Sequence, residues 1–269
     1  MRESTPEKLQ IRIHPQAECV PPGPGVAAAY VPTLIYLPGL HGDWTLISSF
    51  RRALAGRARF IEITYPRSLT WSLDDYARAI ESELKRSGIE AGWLLAESYG
   101  SQVGWQLVGR GRLQVAGLIL AGGFVRHPAT WGVRLASALL RKVSPPLMMR
   151  LLHVYSKVFR VRFRRAPEVI ADMGAFLARR TDLDRQAAKH RLDLIAANDP
   201  CSVARNCVSP VYFLTGFFDA IVPWVPVRRW LRRNCPALRD QRIIWRADHT
   251  VLATAPQAAA DQVAAWIKG

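Results

Sequence analysis

The sequence predicts an α/β fold with a mostly parallel central sheet flanked by helices and an inserted helical cap. Apolar runs typical of strands alternate with segments of helical periodicity over residues 33–124, and the alternation returns at residue 209. Between them, residues 125–200 are helical in pattern and carry 15 basic against six acidic residues. We therefore expect a core built from residues 1–124 and 201–269, with residues 125–200 as a basic lid, called the insertion below.

The first half of the chain supplies the first strands of this core. Residues 9–14 alternate with period two, which is typical of an antiparallel edge strand. Residues 33–37 form the nearly continuous apolar run expected of a strand buried on both faces. The other elements predicted here are a helix at 44–54, a strand at 59–65, a helix at 73–85 capped by Ser72, and a strand from residue 92 that leads into a helix.

The second half begins with a predicted strand at 114–123, which the insertion follows. Within the insertion, Pro145 and Pro146 start an amphipathic helix whose apolar face is formed by Met148, Leu151, Leu152, Tyr155 and Phe159. That pattern favours a helix packed on the core, and a lid over an acyl pocket is the more specific alternative. The predicted elements that complete the core are strands at 209–216 and 242–245 and helices at 227–233 and 256–266.

One strand-to-helix turn carries a serine between small residues. The sequence Ala96-Glu97-Ser98-Tyr99-Gly100 approximates the G-x-S-x-G nucleophile elbow, in which a strained turn presents a serine hydroxyl above the sheet edge. Ala96 replaces the first glycine, and small residues are needed at both positions because the strand and the helix pass close together. Ser98 could also be an ordinary helix cap, so its interpretation depends on the rest of a site being present.

A glycine-punctuated turn, residues 38–43, follows the strand at 33–37. In a parallel sheet, binding sites gather where the carboxyl ends of strands meet the following loops. The backbone N–H groups of Leu40 and Tyr99 are therefore the expected donors to an oxyanion, with the helix N-terminus adding partial positive charge at Tyr99. The alternative is a plain connection in which the glycines serve only backbone geometry.

Asp219 and His249 follow two later strands, in the order Ser, Asp, His along the chain. A serine hydroxyl is a weak nucleophile, so it needs a base within hydrogen-bonding distance, and a histidine can accept and return the proton. An aspartate on the other ring nitrogen would hold the imidazole in the required tautomer and orientation. The sequence therefore predicts a catalytic triad of Ser98, Asp219 and His249.

Together these motifs resemble those of the α/β-hydrolase superfamily, in particular serine esterases and lipases with a helical lid. The resemblance covers nearly the whole chain outside the insertion and implies the same roles for the oxyanion turn, nucleophile, acid and base. Two residues depart from the pattern of the superfamily. Pro38 stands where a histidine is often found, and Ala96 stands for a glycine, both at positions where backbone geometry matters more than the side chain.

Other titratable residues fit these roles less well. His41 adjoins the oxyanion turn and could contact substrate, while Asp248 is expected to be a turn residue. Asp199 is the alternative to Asp219 as the acid of the triad. Glu97 is expected to point into the structure or to form a hydrogen bond with the backbone. Three histidines are expected at the surface: His14, His153 and His190.

The predicted activity is hydrolysis of a carboxylic ester or thioester through an acyl-enzyme, without a metal or an organic cofactor. The substrate is expected to be a small molecule with an apolar acyl group, because apolar residues are frequent in the insertion, among them Trp131, Leu135, Met148, Met149, Leu152, Tyr155 and Phe159. Acyl transfer and amide or lactone hydrolysis would use the same triad. A binding protein on a hydrolase scaffold is the alternative from another class.

The net charge of +16 favours contact with anions. An anionic substrate or an acidic membrane surface would fit, although a solvated basic surface is the simpler interpretation. No groove-reading motif is present, so specific nucleic-acid binding is not expected.

The four cysteines show no disulfide framework or metal-ligand spacing, and residues 1–8 are charged rather than apolar. We therefore expect a cytoplasmic protein, while the sequence leaves its oligomeric state open.

Overall fold

The computed structural model describes residues 8–14, 31–142 and 167–268, with four single residues between the last two ranges. Its strands form one sheet in the order β1-β3-β2-β4-β5-β6-β7. β1 pairs antiparallel with β3, and all the other pairs are parallel, which confirms the predicted sheet and its antiparallel edge. The strands are β1 (Gln10–Ile13), β2 (Thr33–Leu37), β3 (Arg59–Thr64), β4 (Ala91–Glu97), β5 (Gln114–Ala121), β6 (Val211–Gly216) and β7 (Leu238–Ile244).

Helices cover both faces of this sheet. In the part of the chain that the structure describes they are α1 (Ser48–Leu54), α2 (Leu73–Arg86), α3 (Gly100–Arg110), α4 (Thr130–Lys142), α5 (Pro167–Ala178), α6 (Asp182–Ala197), α7 (Cys201–Arg205), α8 (Trp224–Asn234), α9 (Val251–Thr254) and α10 (Pro256–Lys268). None of these described helices is long and apolar enough to cross a lipid bilayer.

The core consists of two apolar layers, one on each side of the sheet. Ile35 and Leu37 of β2 belong to the layer that contains α2, α3 and α8, whereas Leu34 and Tyr36 belong to the layer that contains α1 and α10. Successive residues of a strand point to opposite faces, so a strand covered on both faces must be apolar throughout. This requirement explains the continuous apolar run from which β2 was predicted.

Several predicted boundaries are wrong by a few residues. α1 begins at Ser48 and not at residue 44, because the chain first forms a tight turn in which the Ile47 N–H donates to the Trp44 carbonyl at 3.1 Å. β5 ends at Ala121, since Gly122 turns the chain with φ +57°. α8 starts three residues earlier than predicted and β7 four residues earlier. β7 is an edge strand with charged residues on both faces, which hides the apolar pattern used to predict strands.

The insertion contains α4, α5 and α6, of which α4 packs against α6. The helix predicted from Pro145 onwards lies outside the described residues, together with its apolar face. The assignment of residues 125–200 as a lid, and the boundaries of the three segments, stay predictions.

We expect Ser72→Ala to destabilise the protein by about 1 kcal/mol, because α2 begins with a reciprocal cap. The Ser72 hydroxyl accepts from the Asp75 N–H at 3.2 Å, and the Asp75 carboxylate accepts from the Ser72 N–H at 2.8 Å. The free energy of unfolding in urea measures the loss. Ser87→Ala at the other end of α2 is the matched control, and equal losses in the two variants would contradict the capping account.

Candidate active site

Ser98 lies in a strained turn between β4 and α3. Its φ of +49° makes it the one described residue other than glycine with a positive φ. The turn is held by the Ser98 N–H, which donates to the Ala121 carbonyl at 3.0 Å, and by the Ser101 N–H, which donates to the Ser98 carbonyl at 2.9 Å. Backbone strain of this kind persists only where the surrounding structure enforces it, and it is common at functional sites.

The small residues around Ser98 reflect a close approach between chain segments. A Cβ added to Gly100 would lie 2.2 Å from the carbonyl oxygen of Leu37, at the end of β2. No side chain can be accommodated at that distance, so only glycine fits at the start of α3. Ala96 is fully buried in β4, where its methyl group is tolerated.

The three residues predicted for the triad are brought together. His249 Nε2 lies 2.8 Å from Ser98 Oγ, and His249 Nδ1 lies 2.9 Å from Asp219 Oδ2. Both distances are those of hydrogen bonds, and they link the hydroxyl, the imidazole and the carboxylate in one line. The contacts join residues up to 151 positions apart in the sequence.

The carboxylate of Asp219 is fixed by its own loop. Its Oδ1 accepts hydrogen bonds from the backbone N–H groups of Ile221, at 3.0 Å, and Val222, at 2.8 Å. The Asp219 side chain is fully buried, while that of His249 is 12 % exposed. The two N–H donors orient the carboxylate so that Oδ2 is directed at the imidazole.

The glycine turn after β2 lies directly beside Ser98. A Cβ added to Gly39 would be 3.6 Å from the Ser98 Cβ, and the Gly42 N–H closes the turn by donating to the Gly39 carbonyl at 2.9 Å. Leu40 lines the same cavity as Ser98 and His249. Tyr99 follows Ser98 immediately and precedes α3, so its N–H belongs to the positive end of that helix.

A cavity of about 580 Å³ opens above these residues. Helices of the insertion supply much of its apolar lining, namely Val133 and Ala136 from α4, Met173 and Phe176 from α5, and Leu192 and Ile195 from α6. Trp131 also lines the cavity, as predicted, whereas Leu135 is exposed on α4. The other residues predicted for the pocket, Met148, Met149, Leu152, Tyr155 and Phe159, lie outside the described residues.

Comparison with solved structures identifies the fold. A hydrolase from Pseudomonas aeruginosa PA01 superposes with a TM-score of 0.75 at 14% identity, over 97% of this chain and 94% of that chain. A thermophilic esterase from Thermogutta terrifontis gives 0.71 at 18% identity, over 97% and 93%. The enol-lactonase from Burkholderia xenovorans LB400 gives 0.74 at 14% identity, over 97% and 96%. The chain has the α/β-hydrolase fold. No family model matches the sequence, and none of the curated proteins searched matches it.

Arg191 connects the insertion of this hydrolase fold to the turn that contains Leu40. Its guanidinium donates to the Leu40 carbonyl at 2.7 Å and to the Pro66 carbonyl at 2.9 Å, and the residue is only 1% exposed. Sequence reasoning missed this residue. A signal was present, because Arg191 falls on the face of α6 that also carries the buried residues Ala187, Ala188 and Ile195.

A second contact between insertion and turn involves Asp43, which forms an ion pair with Arg180. The Arg180 guanidinium holds the pKa of the Asp43 carboxyl below its usual value. Beside them, His41 meets the edge of Phe176 with ring centroids 4.7 Å apart. Exclusion of water by the surrounding protein, together with Arg180, lowers the pKa of His41 to about 4. His41 therefore lines the cavity as a neutral imidazole near neutral pH.

Glu97 points into the structure, in agreement with the expectation from sequence. It is buried beside Ser98, where it accepts a hydrogen bond from the Tyr36 hydroxyl and reaches the cavity lining. Burial raises the pKa of Glu97 above the ordinary glutamate value. His127, which was not singled out from the sequence, also lines the cavity. Burial lowers its pKa.

The remaining candidates lie away from the triad. Asp199 is exposed and pairs with Arg126 at 3.5 Å, and Asp248 accepts from the Thr250 N–H at 3.0 Å as the predicted turn residue. Two histidines expected at the surface are half-buried instead, because His14 pairs with Glu62 and His190 bonds the Trp71 carbonyl. His153 lies outside the described residues. Within the described ranges, no three histidine, cysteine or carboxylate side chains are arranged to hold a metal ion.

We expect Gly42→Ala to slow labelling of Ser98 by a fluorophosphonate, by up to about 100-fold. A Cβ at position 42 would lie 2.6–2.8 Å from the guanidinium of Arg191 and would displace it from the Leu40 carbonyl. Gly56→Ala is the matched control, since Gly56 has a similar φ of +74° but no atom within 4 Å of its added Cβ. Equal labelling rates in the two variants would show that Arg191 does not position the turn.

We expect Glu97→Gln to stabilise the protein increasingly as the pH rises. Because the pKa of Glu97 is higher in the folded protein than in the unfolded chain, the folded state holds this proton more tightly. Wild-type stability contributed by Glu97 is therefore lost as the pH rises from the unfolded pKa, about 4.3, through the raised folded pKa. Glutamine does not titrate, so the variant does not lose stability in this way. Its side-chain oxygen can still accept a hydrogen bond from the Tyr36 hydroxyl.

Urea unfolding at a series of pH values measures this difference, with Glu90→Gln at an exposed position as the control. A difference between Glu97→Gln and wild type that stays constant with pH would contradict the raised pKa.

Proposed function

We propose that this protein is a serine hydrolase that cleaves carboxylic ester or thioester bonds through an acyl-enzyme. The observation that carries the proposal is the hydrogen-bonded line from Ser98 through His249 to Asp219, at the base of a largely apolar cavity. Nucleophile, base and orienting acid within hydrogen-bonding distance are the geometric signature of nucleophilic catalysis.

In the first half of the reaction, Ser98 Oγ attacks the substrate carbonyl carbon while His249 Nε2 takes the hydroxyl proton. The oxygen of the resulting tetrahedral intermediate accepts hydrogen bonds from the N–H groups of Leu40 and Tyr99, which stabilise charge that develops only there. Asp219 remains ionised and stabilises the imidazolium. Collapse of the intermediate breaks the bond to the leaving oxygen or sulfur, which receives the proton from Nε2.

In the second half, a water molecule attacks the acyl group on Ser98. Its proton passes to His249 Nε2, and the same N–H groups stabilise the second tetrahedral intermediate. Collapse releases the carboxylic acid and returns the proton to Ser98 Oγ.

We further propose an apolar acyl group on the substrate. The lining that α4, α5 and α6 supply is apolar, and burying such a group is favourable by about 25 cal/mol per Å² of surface. Activity on p-nitrophenyl esters of increasing chain length would measure the fit.

Lactone hydrolysis is the second candidate, favoured by the structural similarity to an enol-lactonase. A lactone is a cyclic ester, so it would use the same residues and leave the product in one piece. Product analysis with a lactone, and with an added alcohol as competing acceptor, would separate ester hydrolysis, lactone hydrolysis and acyl transfer.

We expect Ser98→Ala to lower kcat for p-nitrophenyl butyrate by several orders of magnitude and to abolish fluorophosphonate labelling, because members of a triad act as a unit. Circular dichroism would verify that the variant is folded. Retention of most activity would refute the mechanism, and a folded wild type that neither labels nor turns over would favour a binding role on this scaffold.

We expect Asp219→Asn to reduce kcat by about 10⁴-fold, because an amide at this position favours the wrong tautomer of His249. Asp199→Asn is the matched control, since Asp199 is the alternative acid in the sequence but is exposed. A larger loss in Asp199→Asn than in Asp219→Asn would overturn the assignment of the acid.

A further inference from the structure

One edge of the molecule combines exposed arginines with exposed apolar side chains. The exposed face of α8 carries Val225, Arg229, Arg232 and Arg233, at the spacing of successive helical turns, while Leu231 on the opposite face is buried. Beside α8, the edge strand β7 exposes Arg239, and the exposed Trp245 follows it directly. We call these residues the α8–β7 surface: Val225, Arg229, Arg232, Arg233, Arg239 and Trp245.

The arginines of this surface have no acidic partners in the part of the chain that the structure describes. Elsewhere exposed or half-buried arginines form ion pairs, such as Arg57 with Asp261 and Arg110 with Glu81. The one acidic residue between positions 228 and 246 is Asp240, which accepts from the indole of Trp266 instead. Several like charges on one surface repel one another, so this surface is complementary to a polyanion.

Apolar side chains connect the α8–β7 surface with the cavity. Trp245 stacks on Phe217 with ring centroids 4.3 Å apart, and Phe217 also contacts Trp224 at the start of α8. Exposed fractions are 68% for Trp245, 64% for Ile221 and 55% for Val225. Ile221 also lines the cavity, as do the other residues from 220 to 223, and this segment leads directly into α8, so the patch lies next to the cavity rim.

We propose that the α8–β7 surface docks the protein onto an anionic lipid bilayer. The arginines would contact the headgroup phosphates, while Val225 and Trp245 would enter the interface between headgroups and acyl chains. Because Ile221 joins the patch to the cavity, docking would place the cavity rim at the membrane. In that arrangement, which rests on the proposed function, an apolar ester reaches Ser98 from the bilayer without crossing water.

A bilayer fits this surface better than the alternatives. Nucleic acid would also supply phosphates, but it offers no apolar layer to cover the aliphatic Ile221 and Val225. A second copy of this chain would bring the same arginines together, which repel. A bilayer presents anionic groups and hydrocarbon within a few ångströms of one another, in the combination that the surface presents.

The experiment is cosedimentation of the protein with vesicles of phosphatidylcholine, with and without phosphatidylglycerol, at low and high salt. It uses the Ser98→Ala protein, so vesicle binding is measured independently of catalysis. We expect the triple variant Arg229→Gln, Arg232→Gln, Arg233→Gln to bind phosphatidylglycerol vesicles more weakly by on the order of 100-fold, about fivefold per arginine. The matched control removes three exposed basic residues elsewhere, as Lys85→Gln, Arg86→Gln, Arg112→Gln, and should change binding by less than about threefold.

The apolar contribution is tested by the double variant Val225→Ser, Trp245→Ser. We expect it to lose the binding that persists at high salt, because salt screens the arginines and not the apolar contacts. In the Ser98 background, unchanged hydrolysis of p-nitrophenyl butyrate by the triple and double variants would show that they are folded.

The proposal would be overturned if the two triple variants lost vesicle binding equally. Equal binding of the protein to vesicles with and without phosphatidylglycerol would also overturn it. Tighter binding to a DNA duplex than to phosphatidylglycerol vesicles at equal phosphate concentration would reassign the surface to nucleic acid. A dimer that the double variant dissociates, with vesicle binding unchanged, would reassign it to self-association. If the wild-type protein binds vesicles but hydrolyses no ester, the proposed function is refuted and the docking surface remains supported.

Discussion

The site depends on a single close approach, that of the start of α3 to the end of β2. With the carbonyl of Leu37 only 2.2 Å from where a Cβ of Gly100 would lie, the turn between β4 and α3 has little room. Ser98 therefore adopts a positive φ and lies against Gly39. The same compression places the turn that contains Gly39 and Leu40 beside Ser98 at the carboxyl edge of the sheet. Packing in the core thus determines the geometry on which the proposed chemistry rests.

Buried charges make the insertion part of this arrangement. Removing a guanidinium from water costs several kcal/mol unless its N–H groups find acceptors. The two Nη groups of Arg191 donate to two carbonyl oxygens and Arg180 pairs with the carboxylate of Asp43, and these three acceptors lie in the loops after β2 and β3. Among the described residues, Arg191 Nε and Arg180 Nη1 have no hydrogen-bond partner. Apolar residues of similar volume often stabilise such a buried contact equally well. The arginines instead fix where α6 lies relative to Leu40.

The sequence was sufficient where the determinants are local. The apolar run of β2, the small residues around Ser98 and the spacing of Asp219 and His249 each reflect one turn or one strand, and the fold class follows from their order. It was insufficient where partners are distant. Arg191 bonds a carbonyl 151 residues away, and β7 is stabilised by its neighbour β6 despite a charged sequence. The start of α1 was misplaced because residues 44–47 form a tight turn, closed by the Ile47 N–H and the Trp44 carbonyl, before the helix begins.

The two hydrogen bonds of Arg191 also bear on when the site becomes ordered. A shift of α6 by one helical turn, about 5.4 Å, would carry the guanidinium out of reach of the Leu40 carbonyl. With α6 in its present place, Arg191 holds the Leu40–His41 peptide, the neighbour of the peptide group that carries the Leu40 N–H. Preorganised donors do not have to be rotated into position at the moment of reaction. Under the proposed mechanism, the entropy of ordering the Leu40 turn is lost once, during folding, and does not recur with each turnover.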